Sequence, residues 1–193
     1  MTVLSPPRHP LVDAALTEAR AWCAGHLIEE RPALRHAAAV AYEVVQHTPD
    51  ASPEVVAAAL LHDAPECAPD DLDLSNYLTE TYGGRVAQLV IDLHAEHQSL
   101  DTPNPRISTG DVTLLMLSTA DQAVAFRSNL HRAHTSGDMA GFFGAKTGMI
   151  CLLGYFRRYQ QAGVGVVPAT LSADLASSLD QIDAAMAAFR TRT

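Results

Sequence analysis

Ala57-Ala58-Ala59-Leu60-Leu61-His62-Asp63-Ala64-Pro65-Glu66 puts an imidazole and a carboxylate at the end of an apolar helical run. Such groups cost desolvation free energy unless something pairs with them, and a bound cation would do so. Pro65 disfavours helical geometry at Ala64 and removes a donor, so the chain is expected to break where the two side chains sit. Adjacent residues of a helix point about 100° apart, yet near a helix end both can reach an ion lying off the terminus. His36 upstream and Asp121 downstream, in Ser118-Thr119-Ala120-Asp121, each lie in another helix-like apolar segment. His36, His62, Asp63 and Asp121 together offer two imidazoles and two carboxylates to one divalent ion. That donor set suits manganese, iron, cobalt or zinc with positions left open for water and substrate. Manganese is the first expectation.

Helical periodicity extends outward from this stretch in both directions, and no strand-length run of alternating apolar and polar residues stands out. The expected class is all-α. A first helix follows Pro10, from Leu11 to about Gly25, with Leu11, Ala15, Ala19 and Trp22 on one face. A second follows Pro32, from about Ala33 to Gln46, and carries His36 with Val40 one turn later. Ser52 and Pro53 start the third, as N-cap and first helical residue. Asp70, Asp71 and Asp73 open a fourth that Gly83-Gly84 ends, and Arg85 to about His97 forms a fifth. Ser99 to Gly110, with Pro103, Asn104 and Pro105, reads as an exposed loop. Asp111 to about His134 bears Asp121, one further helix runs from Met139 to Gln161, and an amphipathic helix covers Leu171 to Phe189. Leu175, Leu179 and Ile182 of that last helix can pack in the core or against a second copy, so a homo-oligomer is one expectation.

With 193 residues, 48% of them hydrophobic, the chain is expected to form one domain with a sizeable core. Thirteen basic residues against 22 acidic ones give a formal charge of -9, which argues against a broad footprint for nucleic acid or an anionic membrane. Cys23, Cys67 and Cys151 are odd in number and form no CxxC pair, so neither a disulfide framework nor a thiolate zinc site is expected. No apolar run approaches the ~18 residues needed to span a bilayer, and no leader pattern precedes the first helix. A cytoplasmic, membrane-free protein is the expectation.

The order His36, His62-Asp63, Asp121 resembles the HD-domain metal-dependent phosphohydrolases, and the surrounding residues narrow the resemblance. His36-Ala37-Ala38-Ala39-Val40-Ala41 is similar to the HPxxVA segment of the RelA/SpoT hydrolase domain. Ala58 to Glu66 is similar to its ALLHDxxED segment, and Thr119-Ala120-Asp121 to its LAD segment. Tyr82-Gly83-Gly84-Arg85-Val86-Ala87-Gln88-Leu89-Val90 is similar to the FGxxVxxLV stretch of the small, single-domain SpoT-like proteins. The likeness runs from about Leu11 to Tyr159. It implies an HD-type helical bundle with a metal site between helices, with His36, His62, Asp63 and Asp121 as ligands. It implies Glu66 as the acid/base residue beside the attacking water, with Asp63 also in the catalytic set. In that family the reaction is hydrolysis of the alarmone ppGpp with release of pyrophosphate, and some animal relatives act on NADPH.

Departures from the family pattern are concentrated away from the ligands. Cys67 stands where the second carboxylate of the Glu-Asp pair belongs, and Ala125 stands for an asparagine one turn after the last ligand. Ser118 and Gln122 replace a lysine and an arginine around Asp121, and the basic residues that contact guanine are missing around His26 and Leu27. Loss of activity by drift would spare ligands no more than pocket residues, because buried polar groups without an ion burden stability. The expectation is therefore retained metal-dependent hydrolysis of a small phosphorylated substrate, such as a nucleotide other than ppGpp. Asp70 or Asp71 can stand in for the missing carboxylate. Among the available cations Arg31, Arg35, Arg127, Arg132, Lys146, Arg157 and Arg158, the preferred substrate contacts are Arg35 and Lys146, followed by Arg127, with His131 on the same helix. Two alternatives stay open. One is a two-iron HD-type oxygenase using His94 and His97; the other is a non-catalytic nucleotide sensor in which the metal is structural.

Overall fold

The computed structural model describes residues 6–28 and 30–190, with backbone only at 189 and 190. It is all-α apart from one short hairpin, as the apolar periodicity requires. The chain folds into two compact units, Met1–Ser118 and Thr119–Thr193.

In the first unit, α1 (Pro10–Trp22) starts behind His9, whose Nδ1 accepts a hydrogen bond from the Leu11 amide at 3.2 Å. It ends three residues earlier than its apolar pattern suggests. Leu27–Ile28 (β1) and Arg31–Pro32 (β2) then pair antiparallel, Leu27 opposite Pro32 and Ile28 opposite Arg31. Two residues per strand are too few to show an alternating pattern, which is why the hairpin is invisible in the sequence. α2 (Ala33–His47) follows, and then α3 (Pro53–Leu61). Ser52 occupies the N-cap of α3 without capping it. Its side chain hydrogen-bonds the Glu54 carboxylate, which holds that exposed carboxyl below its ordinary value.

Val56 to Leu61 are all buried, and α3 packs against α1, α2 and α6. A helix apolar on every side is stable only when neighbours cover every side, and α3 is thus the axis of this unit. After α4 (Ala64–Cys67), Asp73 caps α5 (Leu74–Tyr82) by accepting from the Asn76 amide at 3.1 Å. Gly83, at φ 90, makes the turn into α6 (Gly84–Ser99), a backbone conformation open to glycine at little cost. Asp111 then begins α7 (Val112–Ser136), accepting from the Thr113 and Leu114 amides at 2.9 and 3.2 Å.

The second unit takes in the remainder of α7 from Thr119. Where one helix is expected between Met139 and Gln161, the structure has three: α8 (Met139–Gly144), α9 (Thr147–Cys151) and α10 (Leu153–Gly163). Gly141, Gly144 and Gly148 weaken helix propagation there, and Lys146 leaves helical geometry at φ -94, ψ 55. The last helix, α11 (Ala169–Arg190), packs against α8 and α10. Leu171, Leu175, Leu179 and Ile182 are fully buried. The face considered for a second copy is therefore already covered within the chain. Phe126 meets Phe156 edge-on at 4.8 Å, extending the aromatic packing of Tyr155 and Tyr159. Among the described residues no helix is long and apolar enough to cross a membrane.

Candidate metal centre

His62 and Asp63 form the joint between α3 and α4, as the proline two residues on requires. His62 closes α3 at φ -62, ψ -29, and Asp63 moves to φ -87, ψ 3. Leaving the regular spiral lets neighbouring residues aim at a common region. The ring of His62 is fixed by a 2.8 Å hydrogen bond from Nδ1 to the Ala59 carbonyl. A carbonyl only accepts, so Nδ1 carries a proton, and in the neutral tautomer this selects the lone pair lies on Nε2. Orientation of a ligating imidazole by a backbone carbonyl on its other nitrogen is the usual arrangement in protein metal sites.

His62 Nε2 lies 3.2 Å from Asp63 Oδ1. In the neutral tautomer these are two acceptors facing each other, an arrangement that repels unless a proton or a cation lies with them. His36, on α2, sets its ring edge-on to that of His62 with centroids 5.2 Å apart. His36 and His62 are both buried, and Asp121, on α7, is buried within the second unit. Asp63 is buried too, and its Oδ2 has no hydrogen-bond partner. An orphaned carboxylate oxygen in the interior costs several kcal/mol, about 1–3 for a neutral group and more for a charged one. Nitrogen and oxygen donors converging here can hold a metal ion, and the unsatisfied oxygen is what such an ion would engage.

The other residues expected at the site come from both units. Glu66, on α4, is exposed, one turn from Asp63 and tied to it by the Glu66 amide donating to the Asp63 carbonyl at 3.0 Å. Cys67 is buried, and burial together with neighbouring Cys23, Asp63 and Glu66 pushes its thiol up to about 12. It stays a neutral thiol near pH 7 and cannot do the work of a second carboxylate. Asp70 and Asp71 are exposed. Arg35 precedes His36 and is exposed. Arg127 and His131 are also exposed, about 9 and 15 Å along α7 from Asp121 at 1.5 Å per residue. The Lys146 ammonium sits 5.4 Å from the Phe142 ring centroid, and Arg132 sits 5.5 Å from the same ring.

Two observations bear on residues that spacing alone left open. His94 Nε2 is 2.8 Å from the side-chain Nε2 of Gln98, and among the described residues neither His94 nor His97 joins a close group of three metal-competent side chains. Partial burial lowers the His94 pKa, opposed by the charge of Glu66. Cys23 is the partner that sequence reasoning missed. It shares a buried apolar cluster with Cys67 from 44 positions away, a separation carrying no motif signal. The Ala59 carbonyl was more accessible to inference, since a helix end leaves carbonyls free within reach of a side chain three residues on. No family model matches the chain, and no curated protein matches it.

Proposed function

We propose that this chain is a divalent-metal-dependent hydrolase of phosphate esters, acting on a nucleotide or another small phosphorylated molecule. The observation that carries the reading is the meeting of buried His36 and His62 with the orphaned Asp63 carboxylate beside them. His36, His62 and Asp63 would hold the ion, with Asp121 as the fourth ligand that the resemblance implies. When bound, such an ion lowers the pKa of water toward ~7 and neutralises charge on a phosphoryl oxygen.

The chain's own groups divide the rest of the work. The Ala59 carbonyl fixes the His62 tautomer, so that ring needs no reorganisation to present Nε2. Asp63 sets a carboxyl group beside His62, where its oxygens can balance positive charge brought into the interior. Glu66 is exposed and one turn from Asp63, so it can take a proton from the attacking water and pass it to solvent or to the leaving oxygen. Cys67 does not share that task. With one carboxylate where the resembled family has two, and without the basic residues that grip a guanine, the favoured substrate is a phosphorylated molecule other than ppGpp. The manganese assignment rests on donor type alone, and iron, cobalt and zinc suit the same set.

Metal analysis of the purified protein tests the first half, with a single divalent ion per chain expected and its loss in Asp63→Ala. Incubation with manganese and ppGpp, NADPH, and nucleoside mono-, di- and triphosphates, reading phosphate and pyrophosphate separately, tests the second. Turnover of at least one substrate above that of Asp63→Ala is expected. No turnover above the variant across the panel overturns the hydrolase reading.

A further inference from the structure

Cys23 ends α1, where its amide donates to the Ala19 carbonyl, and Cys67 ends α4. The two thiols share a small apolar cluster with Ala33, against which Trp22, Ile28 and Leu34 pack. Both are free thiols, and the third cysteine, Cys151, is exposed on α9. Two buried cysteines of one cluster can be joined once their sulfurs approach to the ~2.05 Å of a disulfide.

We propose that Cys23 and Cys67 form an oxidisable dithiol that a peroxide converts to a disulfide, tying the end of α1 to α4, the turn that carries Glu66. Burial, with Cys23, Asp63 and Glu66 nearby, pushes the Cys67 thiol up to about 12, which favours the Cys23 thiolate over that of Cys67. Cys23 is accordingly the first nucleophile. Its thiolate attacks one peroxide oxygen, the O–O bond breaks, and a sulfenic acid forms with release of one water after proton uptake. The Cys67 sulfur then attacks the Cys23 sulfur, the S–O bond breaks, and a second water leaves with the remaining thiol proton. Overall two thiols are oxidised by two electrons and one peroxide is reduced to two waters. Burial raises both thiols above their ordinary range, so the pair reacts slowly and responds to sustained rather than brief oxidant. Any change in turnover rests on the hydrolase reading above, whereas the disulfide itself does not.

Treatment of the folded protein with hydrogen peroxide, followed by non-reducing digestion and mass mapping, reads the bond directly. A Cys23–Cys67 cross-linked peptide, with loss of two hydrogens from the intact mass in a Cys151→Ser background, is the expected result. Cys23→Ser should abolish the cross-link. Persistence of both buried thiols after Cys151 in the wild type has been fully oxidised would overturn the proposal, as would separate oxidation of the two to sulfinic or sulfonic acids. Failure of the nucleotide panel with success of the cross-link would sink the hydrolase reading and leave the dithiol standing.

Discussion

At the scale of single residues, the centre depends on a division between side chains that are buried and one that is not. His36, His62, Asp63 and Asp121 are withdrawn from solvent, whereas Glu66 is open to it. A ligand variant and a Glu66 variant should therefore fail differently. Glu66→Gln keeps shape and hydrogen bonding but cannot accept a proton at neutral pH. It should lower kcat by about 10²- to 10⁴-fold with metal content unchanged, measured by steady-state kinetics alongside metal analysis. A parallel loss of metal would instead make Glu66 a ligand. Cys67 illustrates how far a residue type can be read without its surroundings. Its place after Glu66 marked it as a departure, but that it packs against Cys23 follows from the position of α1 and from no local pattern.

At the scale of elements, the α3–α4 joint was legible because proline acts locally: it restricts the residue before it and withholds one donor. The glycine-rich 139–163 region was not, because apolar periodicity continues through three separate helices while low helix propensity breaks the backbone between them. The start of α7 offers a check on electrostatics. Arg85 holds Asp111 through two hydrogen bonds of 2.6 and 2.9 Å, and this guanidinium, with the Leu114 and Thr113 amides, keeps the Asp111 carboxyl below its ordinary value. A carboxyl with a depressed folded pKa contributes stability that is fully present above its unfolded value of about 3.9 and lost as pH falls through the folded one. The side chains are 41% and 28% exposed, so solvent screens the pair. Arg85→Ala should therefore cost about 0.2–1 kcal/mol at neutral pH, and the difference from wild type should vanish in acid. Urea denaturation across pH 2 to 7, read by circular dichroism, checks both the size and the sign.

At the scale of the whole molecule, a metal that binds only the folded state stabilises it by mass action, by about 2.7 kcal/mol at a hundred times its Kd. For a chain of this length that is a rise in Tm of roughly 5–10 °C. Manganese added to chelator-stripped protein should produce it, and His36→Ala should show none, as measured by thermal melting. The sequence by itself determined the helical class, because apolar spacing and the run preceding His62 are local properties that water sorts in the same way whatever the chain later does. It also determined which four residues were worth watching, since ionisable groups in apolar segments carry a cost visible before folding. Only the tertiary structure decided which of them meet. His36 and His62 are 26 positions apart, and whether their rings meet edge-on at 5.2 Å depends on how α2 and α3 pack. The same packing fixed the Ala59 carbonyl on His62, left Asp63 Oδ2 without a partner, and set Cys23 against Cys67. Contacts of that kind are created by burial shared among distant segments, and no single segment encodes them.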